Sequence, residues 1–168
     1  MSLNEQREEA RKLLTQLVGF NCIVEHDESG APYLPDHPEL HISISHCPQA
    51  VAAVVCDSMP VGIDIEARRS VSAPLFRRVC SPAELAEIEA SPDPQMHFLQ
   101  LWTRKEAILK CRGTGIMGFG SMVTALDDPE YRVHDIDTGF PDIVAAVAWK
   151  NKFGRLPENV YFCTRKIR

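Results

Sequence analysis

The chain has 168 residues, 45% of them hydrophobic and 24% charged, with a net charge of −5. That length suits one domain or two small halves sharing a core. The composition is ordinary for a soluble globular protein, and the acidic balance argues against a dedicated nucleic-acid binder. No apolar run reaches the ~20 residues needed to span a membrane.

Residues 3–18 carry Ala10, Leu13, Leu14, Leu17 and Val18 at helical spacing, and Gly19 supplies a stop. A Ser29-Gly30 turn and an extended stretch, Ala31 to Pro35, follow. From 40 to 66 the pattern is β. Ile42 and Ile44 alternate with Ser43 and Ser45, Cys47-Pro48-Gln49 breaks the run, and Val51 to Cys56 is a buried strand. Asp57 to Pro60 is a turn before a third strand with Val61, Ile63 and Ile65 on one face.

Ser81-Pro82-Ala83-Glu84 has the form of a capping box with Pro at the first helical position. It predicts a short helix to about Ala90, and a longer helix is expected over 95–112. Gly113, Gly115, Gly118 and Gly120 make a flexible loop. Strands are expected near 121–126, 130–137, 142–149 and 158–166. Val51-Ala52-Ala53-Val54-Val55 is echoed by Val144-Ala145-Ala146-Val147-Ala148, which fits either chance or two similar halves.

The six cysteines are scattered without a C-x-x-C pair, so a zinc site is not expected. They read as small apolar residues of a reducing, cytoplasmic protein. The N-terminus has no basic flank followed by an apolar run, as a signal peptide would. Arg68, Arg69, Arg77 and Arg78 form an acid-free cluster, and Arg104, Lys105, Lys110 and Arg112 form a second basic group. Asp127, Asp128, Glu130, Asp135, Asp137 and Asp142 make an acidic stretch. These charges fit either solvated surface or a cationic face for an acidic ligand or partner.

Two segments carry the chemistry. In a strand, residues i and i+2 point the same way, ~6.5–7 Å apart. Asp64 and Glu66 therefore share a face with Gly62. Paired carboxylates repel unless a cation sits between them, and Mg²⁺ takes such hard oxygens together with phosphates. A solvent-facing acidic pair is the alternative. Gly62 leaves room for another backbone or a ligand.

On the long helix, Glu106 and Lys110 are four residues apart on one face, which fits either a surface ion pair or a phosphate site. Lys105 falls within the apolar stripe of Phe98, Leu101, Ile108 and Leu109. A lysine there snorkels or meets an anion, which makes Lys105 a further candidate for phosphate contact. Adjacent Ser45 and His46 point to opposite faces of a strand, so they are not a catalytic dyad, and there is no G-x-S-x-G elbow.

Gly62-Ile63-Asp64-Ile65-Glu66, followed by Trp102-Thr103-Arg104-Lys105-Glu106-Ala107 and Lys110, resembles the paired motifs of 4′-phosphopantetheinyl transferases. Gly30-Ala31-Pro32-Tyr33-Leu34 and Ile44-Ser45-His46 resemble two further blocks of that family, in the same order. The likeness runs from about Gly30 to Gly115 and is greatest to the larger, Sfp-like branch. It implies an α+β fold: two similar α/β halves, approximately 1–80 and 81–168, with antiparallel sheets related by a pseudo-twofold axis within a single domain. It implies transfer of the phosphopantetheine arm of coenzyme A to a serine of an acidic apo carrier protein, by a monomer.

By the same resemblance Asp64, Glu66 and Glu106 hold Mg²⁺, and Glu106 also helps deprotonate the serine. Lys110 contacts the CoA phosphates, Ser45 and His46 touch the nucleotide phosphate, and Arg11 matches a basic residue of the first helix. A carboxylate beside Mg²⁺ and a lysine is expected to be strongly acidic. The chain departs from the family at Ala31, where members often carry Lys, and in the short stretch before Gly30. A relative that binds carrier or CoA without turnover is an alternative reading. A metal-dependent nuclease is a weaker one, since Arg68 stands where a nuclease strand would carry its lysine.

Overall fold

Both segments of the Val-Ala-Ala-Val echo are central strands, one in each of two three-stranded antiparallel sheets. The computed structural model describes residues 3–113, 122–151 and 159–167. Helix α1 (Leu3–Val18) ends at Gly19, whose left-handed φ of 80° closes the last turn. A short hairpin of β1 (Glu25–His26) and β2 (Pro32–Tyr33) carries the Ser29-Gly30 turn. Strands β3 (His41–Cys47), β4 (Ala50–Cys56) and β5 (Val61–Ala67) follow, as the alternation in the first and third and the apolar run in the second predict. Helices α2 (Ala73–Val79), α3 (Pro82–Ala90) and α4 (Pro94–Arg112) come next. The chain then forms β6 (Tyr131–Ile136), β7 (Ile143–Lys150) and β8 (Val160–Lys166).

The first sheet has the order β3-β4-β8 and the second β5-β7-β6. Each is a hairpin completed by the strand that follows the other hairpin. The boundary near residue 80 therefore does not separate the sheets, because β5 and β8 both cross it.

The sheets pack face to face. Ala52, Val54 and Cys56 meet Val61, Ile63, Ile65, Ala145 and Val147 in one buried cluster. The outer face of β4, with Val51 and Ala53, is covered by Ala10 and Leu13 of α1. The outer face of β7, with Ala146 and Ala148, is covered by Ala107, Ile108 and Cys111 of α4. The layers thus run helix, sheet, sheet, helix. Small residues on the outer faces let the helices lie close.

The edges of the two sheets meet where β3 runs beside β5. As an edge strand, β5 has backbone N–H groups without ladder partners, and buried ones need acceptors. Ser43 Oγ accepts from Ile63 N at 3.2 Å, and Ser45 Oγ accepts from Ile65 N at 3.4 Å. Both serines are buried for this reason.

The Ser81 capping box is present in full, with Glu84 N donating to Ser81 Oγ and Ser81 N to Glu84 Oε2. Two elements differ from the sequence expectation. Helix α2 replaces an unassigned stretch, and its Pro74 lies in the first turn. The strand expected near 121–126 is instead a turn leading into a 3₁₀ helix, Ala125–Asp127. Met122 and Ala125, three residues apart, are buried in clusters with residues of α4, a helical rather than an alternating spacing. The glycine loop lies mostly outside the described residues, but Gly113 is the left-handed cap of α4, with φ 71°. All six cysteines are free, and no helix among the described residues is long and apolar enough to cross a membrane.

Candidate active site

The site is built on a close approach of backbone to backbone. A Cβ on Gly62 would stand 2.0 Å from Ala107 O and 2.5 Å from Cys111 N. The absent side chain lets α4 lie directly on β5, so the room expected at Gly62 is taken by a helix. With α4 seated there, the Asp64 and Glu66 face of β5 meets the Glu106 and Lys110 face of α4.

Asp64 is buried. Its Oδ1 accepts from Lys110 Nζ at 2.8 Å and from Ser45 Oγ at 2.8 Å. Lys110 also donates to Ile63 O at 3.0 Å. Asp64 Oδ2 is buried and has no hydrogen-bond partner. Glu66 is held by Arg69, whose Nε and Nη2 reach its two carboxylate oxygens at 3.2 Å each. The side chain of Glu106 is half-buried beside this group. Its carboxyl is pushed above the usual carboxylate range by desolvation first and then by the Asp64 charge; Lys110 opposes the shift and Glu66 adds to it. Among the protein's own groups Glu106 is thus a weaker acid than expected, because burial and like charge outweigh the lysine.

His46 stands at the exposed end of β3, with its imidazole held below its ordinary value by desolvation, then by Lys110 and Arg7, while Asp64 opposes them. Arg7 is the α1 cation whose charge reaches this site. Arg11, expected from the sequence, is exposed on the same helix, and no contact among the described residues brings it into the group. Arg7 lies one turn earlier on the same face of α1.

Lys105 does not join the site. It is fully buried, and its Nζ donates to Glu84 Oε2 at 2.6 Å and Val79 O at 2.7 Å. The anion that its apolar setting demanded is Glu84 of α3, and the expectation of phosphate contact is corrected accordingly. The other charge clusters largely neutralise one another. Arg104 makes a two-pronged pair with Asp135 at 2.7 and 2.5 Å, and Arg112 pairs with Asp128. Arg68 bridges Asp93 at 2.5 Å and Asp142 at 2.9 Å. Arg77 remains exposed on α2.

Among the described residues, no group of three or more His, Cys, Asp or Glu side chains is placed to hold a metal ion. Asp64, Glu66 and Glu106 therefore do not form a ready cage. Their chemistry still suits a hard divalent cation. The donors are all carboxylate oxygens, one of them is buried and unpartnered, and burial followed by the Asp64 charge raises Glu106.

The sequence model of the 4′-phosphopantetheinyl transferase superfamily matches residues 60–155, more than half of the chain, and spans β5 through β7. The chain belongs to this superfamily. A 4′-phosphopantetheinyl transferase of Bacillus subtilis is 38% identical over 91 residues, covering 53% of this chain and 40% of that protein. The 4′-phosphopantetheinyl transferase Sfp of Bacillus subtilis (strain 168) is 35% identical over 91 residues, with the same coverage of 53% and 40%. AcpT of Escherichia coli O157:H7 is 38% identical over 107 residues, covering 61% of this chain and 55% of AcpT. The matches thus extend over about half the length of these relatives. The part matched to the phosphopantetheinyl transferase model contains Asp64, Glu66, Arg69, Glu106 and Lys110, whereas Arg7, Ser45 and His46 precede it.

Proposed function

We propose that this chain transfers the 4′-phosphopantetheine arm of coenzyme A to a serine hydroxyl of an apo carrier protein. The observation that carries the reading is the meeting of Asp64 with Lys110 at the Gly62 contact, with Glu106 beside them. Asp64, Glu66 and Glu106 are the residues that would hold Mg²⁺, which when bound neutralises charge on the diphosphate. Lys110 supplies a fixed cation at the same place, and Arg7 and His46 offer a cation and a neutral imidazole to the nucleotide phosphates. Glu106, on the face of α4 that meets Asp64, accepts the serine proton. The serine oxygen then bonds to the β-phosphorus and the bridging P–O bond breaks. Adenosine 3′,5′-bisphosphate leaves with the bonding electron pair. Positioning and electrostatics supply most of the acceleration, as in other phosphoryl transfers.

The order α1-β3-β4-β5 followed by α4-β6-β7-β8, with β5 and β8 exchanged, supports two halves about a pseudo-twofold axis within one 168-residue unit. We read that unit as a cytoplasmic monomer. An acidic carrier would meet Arg77, exposed on α2, because Arg68 and Arg69 are engaged with carboxylates. Replacing Arg77 by Glu should raise the carrier KM and flatten its salt dependence.

The decisive experiment is mass spectrometry of an apo carrier incubated with the chain, CoA and Mg²⁺. The expected result is a gain of the phosphopantetheine mass. CoA binding without any gain across acyl and peptidyl carriers would identify a binding protein instead.

A further inference from the structure

Each β5 carboxylate already holds a cation. Lys110 sits on Asp64 at 2.8 Å, and Arg69 forks onto both oxygens of Glu66 at 3.2 Å. The arginines on either side of residue 69 differ from it. Arg68 is tied to Asp93 and Asp142, on other elements, and Arg77 lies on the next helix. Arg69 is anchored to the site through Glu66, and its side chain is 43% exposed while that of Glu66 is 19% exposed. A half-exposed pair of this kind costs little to break. Asp64, on the same face of β5 as Glu66, has a buried Oδ2 without a hydrogen-bond partner.

We infer that Arg69 is a place-holding cation that couples divalent-metal binding to diphosphate binding at this site. The inference rests on the reading of the site as one for a divalent cation and the CoA diphosphate. A dication bound by Asp64 and Glu66 repels both cations; Lys110 is also held by Ile63 O at 3.0 Å, so Arg69, the more exposed of the two, is the one displaced. Alone, the metal leaves Arg69 without a partner. A diphosphate arriving with the metal supplies one, and planar two-pronged pairing with phosphate is what a guanidinium does best. Arg69 thus weakens binding of metal alone and strengthens binding of metal with diphosphate. It is a substrate-positioning residue whose role depends on which anion it faces.

The test is Mn²⁺ binding to the full chain, followed by electron paramagnetic resonance with and without CoA. Wild type, Arg69→Gln and Arg132→Gln are compared, with folding checked by circular dichroism. Arg132→Gln removes the same charge from β6, at the far edge of the sheet. For Arg69→Gln, Mn²⁺ alone should bind about two- to fivefold more tightly, the range a half-exposed ion pair supports. The tightening of Mn²⁺ by CoA should shrink by at least that factor, and by linkage so should the tightening of CoA by Mn²⁺. Arg132→Gln should follow wild type. The inference is overturned if Arg69→Gln follows wild type, or if both variants change equally. Wild type that binds CoA but no Mn²⁺, with or without CoA, sinks the cation reading of the site and this inference with it. A catalytic failure that leaves the coupling intact overturns only the proposed transfer.

Discussion

Glu106 is set by opposing effects at the scale of one residue. Burial and the Asp64 charge raise its affinity for a proton, and Lys110 lowers it. The same shift has a sign for stability. The folded pKa lies above the unfolded value of 4.5, so the folded state keeps a proton that the unfolded chain has released. The resulting contribution is fully present below the unfolded value and is lost as pH rises through the folded one. At neutral pH the ionised Glu106 therefore destabilises the fold. Glu106→Gln should raise Tm at pH 7 but not at pH 4, as measured by scanning calorimetry. It should also reduce transfer by about 10²-fold or more. An unchanged rate would rule out Glu106 as the base.

Elements are held in place by two contacts on opposite sides of α4. On one side Gly62 admits the backbone of Ala107 and Cys111. Gly62→Ala puts a methyl group into backbone that cannot fold aside, and overpacking of that kind costs about 1–3 kcal/mol or more. The urea midpoint should fall and transfer should be lost, because Glu106 and Lys110 move with the helix. On the other side Lys105 ties α4 to α3 through Glu84, whose Oε2 also caps Ser81 N at 2.7 Å. Lys105→Met leaves a largely buried carboxylate uncompensated, which costs about 3–5 kcal/mol. Adding Glu84→Gln should recover much of that loss in urea unfolding. A double variant as unstable as the single one would show that Lys105 acts through packing alone.

At the scale of the molecule, the exchange of β5 and β8 makes each sheet depend on residues far apart in sequence. Ala50 pairs with Lys166 and Val61 with Trp149. Such pairings slow folding relative to a helical bundle of similar size. A fragment of residues 1–80 would leave β5 without its ladder and β4 without β8. It should show no cooperative thermal transition, and mixing it with residues 81–168 should restore one. The Arg68–Asp142 ion pair reinforces the dependence, since it joins the end of β5 to the segment just before β7.

By itself the sequence determined which residues share a face. Period two put Asp64 and Glu66 together, and period 3.6 put Glu106 with Lys110, because local backbone geometry sets both spacings. The capping box at Ser81 and most strands were legible for the same reason. Short elements with mixed signals, α2 and the 3₁₀ turn, were not. Only the tertiary structure decided partners. Glu84 reaches Lys105, Arg69 grips Glu66, and Arg7 rather than Arg11 is the α1 cation near His46. Periodicity gives the direction in which a side chain points but not what waits there. That depends on how distant elements cross, here on α4 lying against β5 where Gly62 has no side chain.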